Sequence, residues 1–334
     1  MTEEVRMKVL VTGATGFVGS AVARKLIGDG HDVRVLVRDP SKLATVGLGD
    51  VTDIVTGDIT DPAVMDKAVD GVDCALGIAG TFREPNLSDD RYRQINVDAV
   101  RLLLDAAKRH RVRRVVHCST VGIHGNVTGA PATEASPVIP DGIYEVTKAE
   151  GDRIARVYGR EIGVDTVVLR PTPIYGPGDT RLLKLFRMAG KQRLIMLGDG
   201  SAGYHLVHVD DLAQAFLLAA TGHGKAGEAY IIGGAEQPSL NELIATLADV
   251  LERKDQKTIR IPAQPVRLLG HLCEIICRPF GINPPIYRRR VDFFINNRCY
   301  DIGKARNELG YVPKIGMRDG LEQTAAWYRA RGML

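Results

Sequence analysis

Tyr144 and Lys148 stand four residues apart in Tyr144-Glu145-Val146-Thr147-Lys148, a spacing that on a helix puts both side chains on one face, one turn apart. A phenol ordinarily ionises near pH 10 (about), and a neighbouring ammonium favours the phenolate, so the pair reads as an acid/base tyrosine tuned by a lysine. Ser119 and Thr120 close the preceding strand-like run, and either hydroxyl can donate to and accept from a substrate oxygen. Proton transfer to or from a carbonyl or carbinol oxygen is the chemistry this set suits.

Such chemistry needs a hydride carrier, and the stretch KVLVTGATGFVGS from Lys8 to Ser20 reads as its binding turn. A buried strand, Lys8 to Thr12, enters a turn marked by Gly13, Gly16 and Gly19 and continues as a helix through Leu26. Gly13 permits the tight turn, Gly16 lets backbone N–H groups approach a pyrophosphate, and Gly19 lets the helix pack close to the strand. The helix N-terminus offers unsatisfied donors and a positive dipole end to that anion. The spacing is G-x-x-G-x-x-G, a partial match to the dinucleotide fingerprint.

The rest of the first half supplies the frame. Strand-like runs at Asp32–Val37, Asp53–Thr56, Asp73–Ile78, Arg114–Cys118 and Val164–Leu169 alternate with helical patterns at Pro62–Val69, Arg91–His110 and Tyr144–Glu161. This is the pattern of an α/β, Rossmann-type doubly wound parallel sheet, with ligands outside the carboxyl ends of its strands. After Arg170, five Pro and Gly residues between Pro171 and Gly178 mark a loop leaving the sheet. The chain returns at Leu206–Ala220 and adds a strand at Ala229–Ile232. Helical spacing then appears at Leu240–Leu251, Val266–Cys277, Ile302–Leu309 and Leu321–Ala330. We expect a dinucleotide-binding domain of residues 1–171 plus 206–234, and a smaller, discontinuous, mainly helical substrate domain of 172–205 plus 235–334.

Composition sets the class. With 334 residues, 45% hydrophobic and 25% charged, the chain suits one large or two intertwined domains. A net charge of +4 with interleaved signs leaves no nucleic-acid footprint. The N-terminus lacks the apolar core of a signal peptide, and no run reaches the roughly 18 apolar residues of a membrane span, so a cytoplasmic protein is expected. Five cysteines, Cys74, Cys118, Cys273, Cys277 and Cys299, lack C-x-x-C spacing and are expected to be reduced thiols, with no metal site. The most apolar helix candidate, Val266–Cys277, reads as a core or dimer-interface helix, as the wall of a hydrophobic substrate pocket, or as a membrane-surface anchor, in that order.

TGATGFVG, HCSTVGIHG (His117–Gly125), YEVTK, LRPTPIYGPGD (Leu169–Asp179), VHVDDLA (Val207–Ala213) and DIGKARNELGYVPK occur in this order along nearly the whole chain. Together they resemble an extended short-chain dehydrogenase/reductase of the NAD-dependent epimerase/dehydratase superfamily. The pattern is most similar to the 3β-hydroxysteroid dehydrogenase-like and dihydroflavonol reductase-like branch. The resemblance implies roles residue by residue. Tyr144 matches the acid/base tyrosine and Lys148 the ribose-binding lysine that lowers its pKa. Thr120 matches the hydroxyl partner, with Ser119 its neighbouring alternative, and Asn96 matches the asparagine of an N-V-x-G-T motif whose tail is replaced here by Asp98-Ala99-Val100. Asp58 matches an acid near the adenine, although a turn or capping role explains it nearly as well. The implied cofactor contacts are Gly13, Thr15, Gly16, Phe17, Val18, Gly19, Arg38, Lys42, Asp58, Ile59, Ala79 and Pro171, besides Tyr144 and Lys148.

Cofactor choice is read at the end of the second strand. Val37 stands where an NAD site places its acid, and Arg38 follows, a guanidinium suited to a 2′-phosphate with help from Ser41 and Lys42. NADP is therefore expected, with NAD the alternative if Asp39 turns to the ribose. Nucleotide-sugar members carry an arginine where this chain has Tyr204 and His205, which argues against a buried diphosphate. Arg288, Arg289 and Arg290 lie near a second such arginine, and with Pro284-Pro285 fit the hydroxysteroid-like branch.

The first expectation is an oxidoreductase for a hydrophobic or uncharged alcohol/ketone. A nucleotide-sugar epimerase or dehydratase is the alternative, and a non-catalytic dinucleotide sensor is a third reading. The family resemblance also implies a homodimer through the Arg91–His110 and Tyr144–Glu161 helices.

Overall fold

The computed structural model describes residues 6–82, 84, 87–253, 255–277 and 288–334. Pro284 and Pro285, and the side chains of Arg288, Arg289 and Arg290, lie outside that description.

Seven parallel strands form the main sheet. In chain order they are β1 (Lys8–Thr12), β2 (Asp32–Val37), β3 (Ile54–Thr56), β4 (Cys74–Gly77), β5 (Arg114–Cys118), β6 (Thr166–Pro171) and a later strand, Ala229–Ile232, at the edge beside β6. Their spatial order is 3-2-1-4-5-6 followed by that last strand, so the order reverses between β1 and β4. The register pairs Val9 with Val33 on one side and with Cys74 on the other. Period-two alternation divides the core: Val9 and Val11 point to one layer, with Val22 and Phe216, while Leu10 points to the other, with Val100 and Leu103.

Helix α1 (Phe17–Gly28) follows β1 and packs against the helix Val209–Ala220, which covers the same layer. Helix α2 (Pro62–Val69) covers the other, started by Asp61, whose carboxylate accepts the N–H groups of Ala63 and Val64, with Pro62 in the first position. The helical pattern expected at Arg91–His110 is two pieces, α3 (Asp89–Arg93) and α4 (Ala99–Arg109), joined by a wide π-type turn at Gln94–Asp98. Likewise α5 (Ile143–Arg153) runs into a wide turn at Ile154–Tyr158 and ends as the short α6 (Gly159–Glu161). Gly151 admits the first of these turns, because a Cβ there would lie 2.3 Å from the Asn96 carbonyl oxygen.

Beyond β6 the chain builds features that the periodicity does not announce. The bridge strands Ile174–Tyr175 and Val207–His208 pair in parallel, as do Arg193–Leu197 and Lys257–Ile261. These, with the helices Leu183–Ala189 and Leu240–Val250 and the C-terminal helix Met317–Ala330, enclose a separate core around Phe186, Leu243 and Tyr328. The apolar helix runs from Ala263 to Cys277, three residues earlier than expected. It is not a core helix: Leu268, Leu269 and Leu272 are exposed, and Cys273 and Cys277 are only half-buried free thiols. Among the described residues, no helix is long and apolar enough to cross a membrane and no cluster of side chains could hold a metal ion.

Candidate active site

The Thr12 hydroxyl ties the two strands that flank the reversal of strand order. It donates to Leu76 O (3.1 Å) and accepts from the N–H groups of Ile78 and Ala79 (both 3.0 Å), which steers the chain after β4 away from β1. A cavity of about 1350 Å³ opens there along the carboxyl ends of the strands. Gly13 sits at φ +73°, and a Cβ on it would lie 2.9 Å from Ala79 Cα. Gly19 lets α1 come close, since a Cβ there would lie 2.2 Å from Gly13 O. Gly16 is the N-cap of α1, no side chain caps that helix, and its first turn holds no acid. The α1 amides and the glycine turn thus form an open cradle of donors on the cavity wall, which fits a dinucleotide pyrophosphate.

Every expected cofactor contact except Lys42 lines this cavity. Lys42 is exposed on a short turn, 3.9 Å from Asp39, and stands off the wall. Arg38 is exposed on the wall at the end of β2. Asp39 is engaged elsewhere, accepting from the N–H (3.1 Å) and hydroxyl (2.6 Å) of Ser41. Asp58 combines its two readings: it organises a turn through the N–H and hydroxyl of Thr60 and accepts from Arg91 at 2.6 Å, while remaining on the wall.

Tyr144 and Thr120 line the same stretch of the cavity wall, and the Thr120 hydroxyl favours the ionised phenol. Thr120 also caps the short turn Val121–His124, its hydroxyl accepting from Gly122 N at 3.1 Å. Lys148, one turn along α5, is buried and donates to Cys118 O at 2.5 Å. The structure corrects the expected tuning of the phenol. Burial, followed by the neighbouring Cys118 and Glu145, pushes the Tyr144 hydroxyl well above its ordinary value, and the Thr120 hydroxyl and the charge of Arg181 offset this only in part. Burial also holds the Lys148 ammonium below its ordinary value.

The other expected residues stand behind this front. Ser119 is buried on the cavity wall, and among the described residues its hydroxyl has no hydrogen-bond partner; Asp152 lies one further turn along α5. Asp152 and Arg170 are both buried and pair bidentately (2.8 and 2.9 Å); burial alone would raise the carboxyl, but Arg170 holds it at about 2. Asn96 does not reach the cavity wall. Its side chain accepts from Thr81 N (3.1 Å) and donates to the Thr147 hydroxyl (3.1 Å), so it ties the segment after β4 to α5.

On the substrate side Tyr204 lines the cavity, whereas His205 is buried away from it with Nε2 on Gly234 O at 2.9 Å. Three arginines on this wall, Arg181, Arg267 and Arg298, carry no spacing signal that a single sequence makes legible. Arg298 lies over the Tyr204 ring (5.4 Å) and donates to the carbonyls of Asp292, Phe293 and Asn296, and Arg267 pairs with Asp292 at 3.2 Å. The apolar helix reaches the wall through Gln264 and Arg267 and turns its exposed leucines elsewhere.

Residues 9–233 match the model of the NAD dependent epimerase/dehydratase family. The chain is similar to the 2-alkyl-3-oxoalkanoate reductase of Stenotrophomonas maltophilia (strain K279a), 31% identical over 96% of this chain and 99% of that protein. It is also similar to the 3 beta-hydroxysteroid dehydrogenase/Delta 5-->4-isomerase of Mycobacterium tuberculosis (strain CDC 1551 / Oshkosh), 30% identical over 96% and 90%. Among solved structures, DesIV, a dTDP-glucose 4,6-dehydratase from Streptomyces venezuelae with NAD and TYD bound, superposes with a TM-score of 0.75 at 30% identity, covering 98% of each chain. The glycine cradle, the Tyr144 and Lys148 pair and these similarities agree, and the chain belongs to the NAD dependent epimerase/dehydratase family as an enzyme of the extended short-chain dehydrogenase/reductase type.

Proposed function

We propose that the protein interconverts a secondary alcohol and a ketone on a hydrophobic small molecule, with Tyr144 as the acid/base group, Thr120 as its hydroxyl partner and NADP(H) as the preferred cofactor. The observation that carries this reading is the placement of Tyr144, Thr120 and Lys148 on the wall of one cavity with an uncapped, glycine-lined helix N-terminus. When bound, the dinucleotide exchanges a hydride with the reacting carbon. Tyr144 transfers the proton at the substrate oxygen, Thr120 holds the phenol in place, and Lys148 secures the Cys118 carbonyl beneath it.

NADP is favoured because Arg38 stands on the wall while Asp39 is committed to Ser41. A hydrophobic substrate is supported by Phe82, Ile139, Phe293 and Ile295 on the far wall and by the reductase and hydroxysteroid dehydrogenase relatives. The test is NADPH oxidation with a panel of hydrophobic ketones, repeated with Tyr144→Phe. Near wild-type turnover by that variant would sink the assignment.

Likeness to a dTDP-glucose 4,6-dehydratase, together with Arg267 and Arg298 on the wall, favours a second reading, a nucleotide-sugar epimerase or dehydratase. Stoichiometric, non-exchanging NAD in the purified protein and protection against heat by a UDP- or dTDP-sugar would select it.

A further inference from the structure

Arg181 stands between the two halves of the cavity. Its guanidinium carbon is 5.6 Å from the ring centroid of Phe17, the first residue of α1, and 5.6 Å from that of Phe82, which stands edge-on to Tyr144. Asp179 fixes the base of this arm. Its buried carboxylate accepts from Arg181 N (3.1 Å), Arg181 Nε (3.0 Å) and Leu182 N (2.9 Å). Only Nε is used there: among the described residues, neither Nη group donates to a protein acceptor, and the side chain is 44% exposed on the cavity wall. Arg298 and Arg267 differ, the first bonded to three carbonyls and the second paired with Asp292. The charge of Arg181 is felt at the reacting end, where it favours the ionised forms of Tyr144 and Cys118.

A guanidinium beside aromatic rings keeps its edge N–H groups for an anion, and two Nη donors match a carboxylate. Asp179 already offsets part of the charge, so a singly charged group suits the site better than a doubly charged phosphate. We propose that Arg181 receives a carboxylate of the substrate, so that the hydrophobic alcohol or ketone is a hydroxy or oxo acid. The apolar chain lies along Phe82, Ile139 and Phe293, and the acid end is held beside Tyr144. This rests on the alcohol/ketone reading above and narrows its substrate class. The alternative source of the anion is the cofactor pyrophosphate, given the nearness of Phe17.

The test compares 3-hydroxydodecanoate with its methyl ester as ligands of the protein saturated with NADP, read by thermal shift and fluorescence titration. A parallel assay follows NADPH oxidation with 3-oxododecanoate and its ester. The expected result is at least ten-fold tighter binding of the acid, a preference erased in Arg181→Gln and partly restored in Arg181→Lys. NADP affinity should change less than three-fold. Equal binding of acid and ester, no binding of either, or a preference that survives Arg181→Gln overturns the proposal. A ten-fold loss of NADP affinity with the preference unchanged assigns the arginine to the pyrophosphate instead. Arg181-dependent binding of the acid without turnover keeps the carboxylate site and removes the alcohol/ketone reading. Equal turnover of acid and ester does the reverse.

Discussion

The Phe82 ring meets the Tyr144 ring edge-on, with centroids 4.7 Å apart and planes at 86°, so the phenol we propose as the acid/base group is shielded by a residue from the segment that follows β4. An edge-to-face pair contributes about 0.5–1.5 kcal/mol beyond its buried area. Phe82→Ala should therefore lower kcat/KM roughly 10-fold and, by admitting water, move the Tyr144 ionisation down towards the ordinary phenol range. Ultraviolet difference titration of the variant against the wild type checks the second effect, and an unmoved phenol would show that Phe82 does not maintain the burial.

Thr120 accepts from Gly122 N and shares the cavity wall with Tyr144, for which we propose it as the hydroxyl partner. Thr120→Val should cost about 1 kcal/mol of stability through the lost cap, and roughly 10- to 100-fold in turnover. Thr120→Ser should keep both. Tyr144→Phe should lower turnover by about 10²–10⁴ with cofactor affinity retained. Stopped-flow turnover and NADPH titration of the three variants separate these outcomes.

Arg38→Ala should weaken NADP(H) at least ten-fold more than NAD(H), because only the former has a phosphate for the guanidinium to grip. Fluorescence titration with each nucleotide decides it. Equal losses for the two would place Arg38 against the adenosine in general.

Acid stability should carry the signature of His117. This buried ring is held at about 3, chiefly by burial and further by the Lys148 charge, whereas in the unfolded chain it titrates near 6.5. Below pH 6.5 the unfolded state binds a proton that the folded state refuses, so stability falls as pH drops from 6.5 towards 3. Asp152, held at about 2 against 3.8 unfolded, adds a further loss only below pH 3.8. Urea unfolding at stepped pH should show the first decline shrinking in His117→Gln and the second persisting.

Two glycines of one helix should behave oppositely. Gly19→Ala forces a Cβ to 2.2 Å from Gly13 O and should destabilise by about 2 kcal/mol or more while weakening nucleotide binding. Gly28→Ala meets nothing within 4 Å and should stabilise by roughly 0.5 kcal/mol. Thermal denaturation of both variants, with and without NADPH, is the measurement.

The strands of the main sheet, the glycine turn and the Tyr144 and Lys148 pair were legible because local periodicity and short spacing encode them. The wide turns at Gln94–Asp98 and Ile154–Tyr158 were not, since they are set by contacts such as Asn96 O against Gly151, residues 55 apart in sequence. The short strands Arg193–Leu197 and Lys257–Ile261 pair across 64 residues; the first alternates buried and exposed over only five residues, and the second is exposed throughout and leaves no burial pattern to read. Arg181 and Arg298 reach the cavity through tertiary placement alone. Asn96 was identified by motif, and its role in tying Thr81 to Thr147 is visible only in three dimensions.

The edge position of Ala229–Ile232 bears on how the chain emerges from a ribosome. Until those residues are made, β6 exposes an unpaired row of backbone donors and acceptors, and Glu134 lacks the Ile231 N–H it accepts at 2.7 Å. A nascent chain halted near residue 225 would hold the complete glycine cradle and the Tyr144 pair beside a sticky open edge. Synthesis of the last third therefore protects the sheet from its neighbours in a polysome as well as enclosing the substrate.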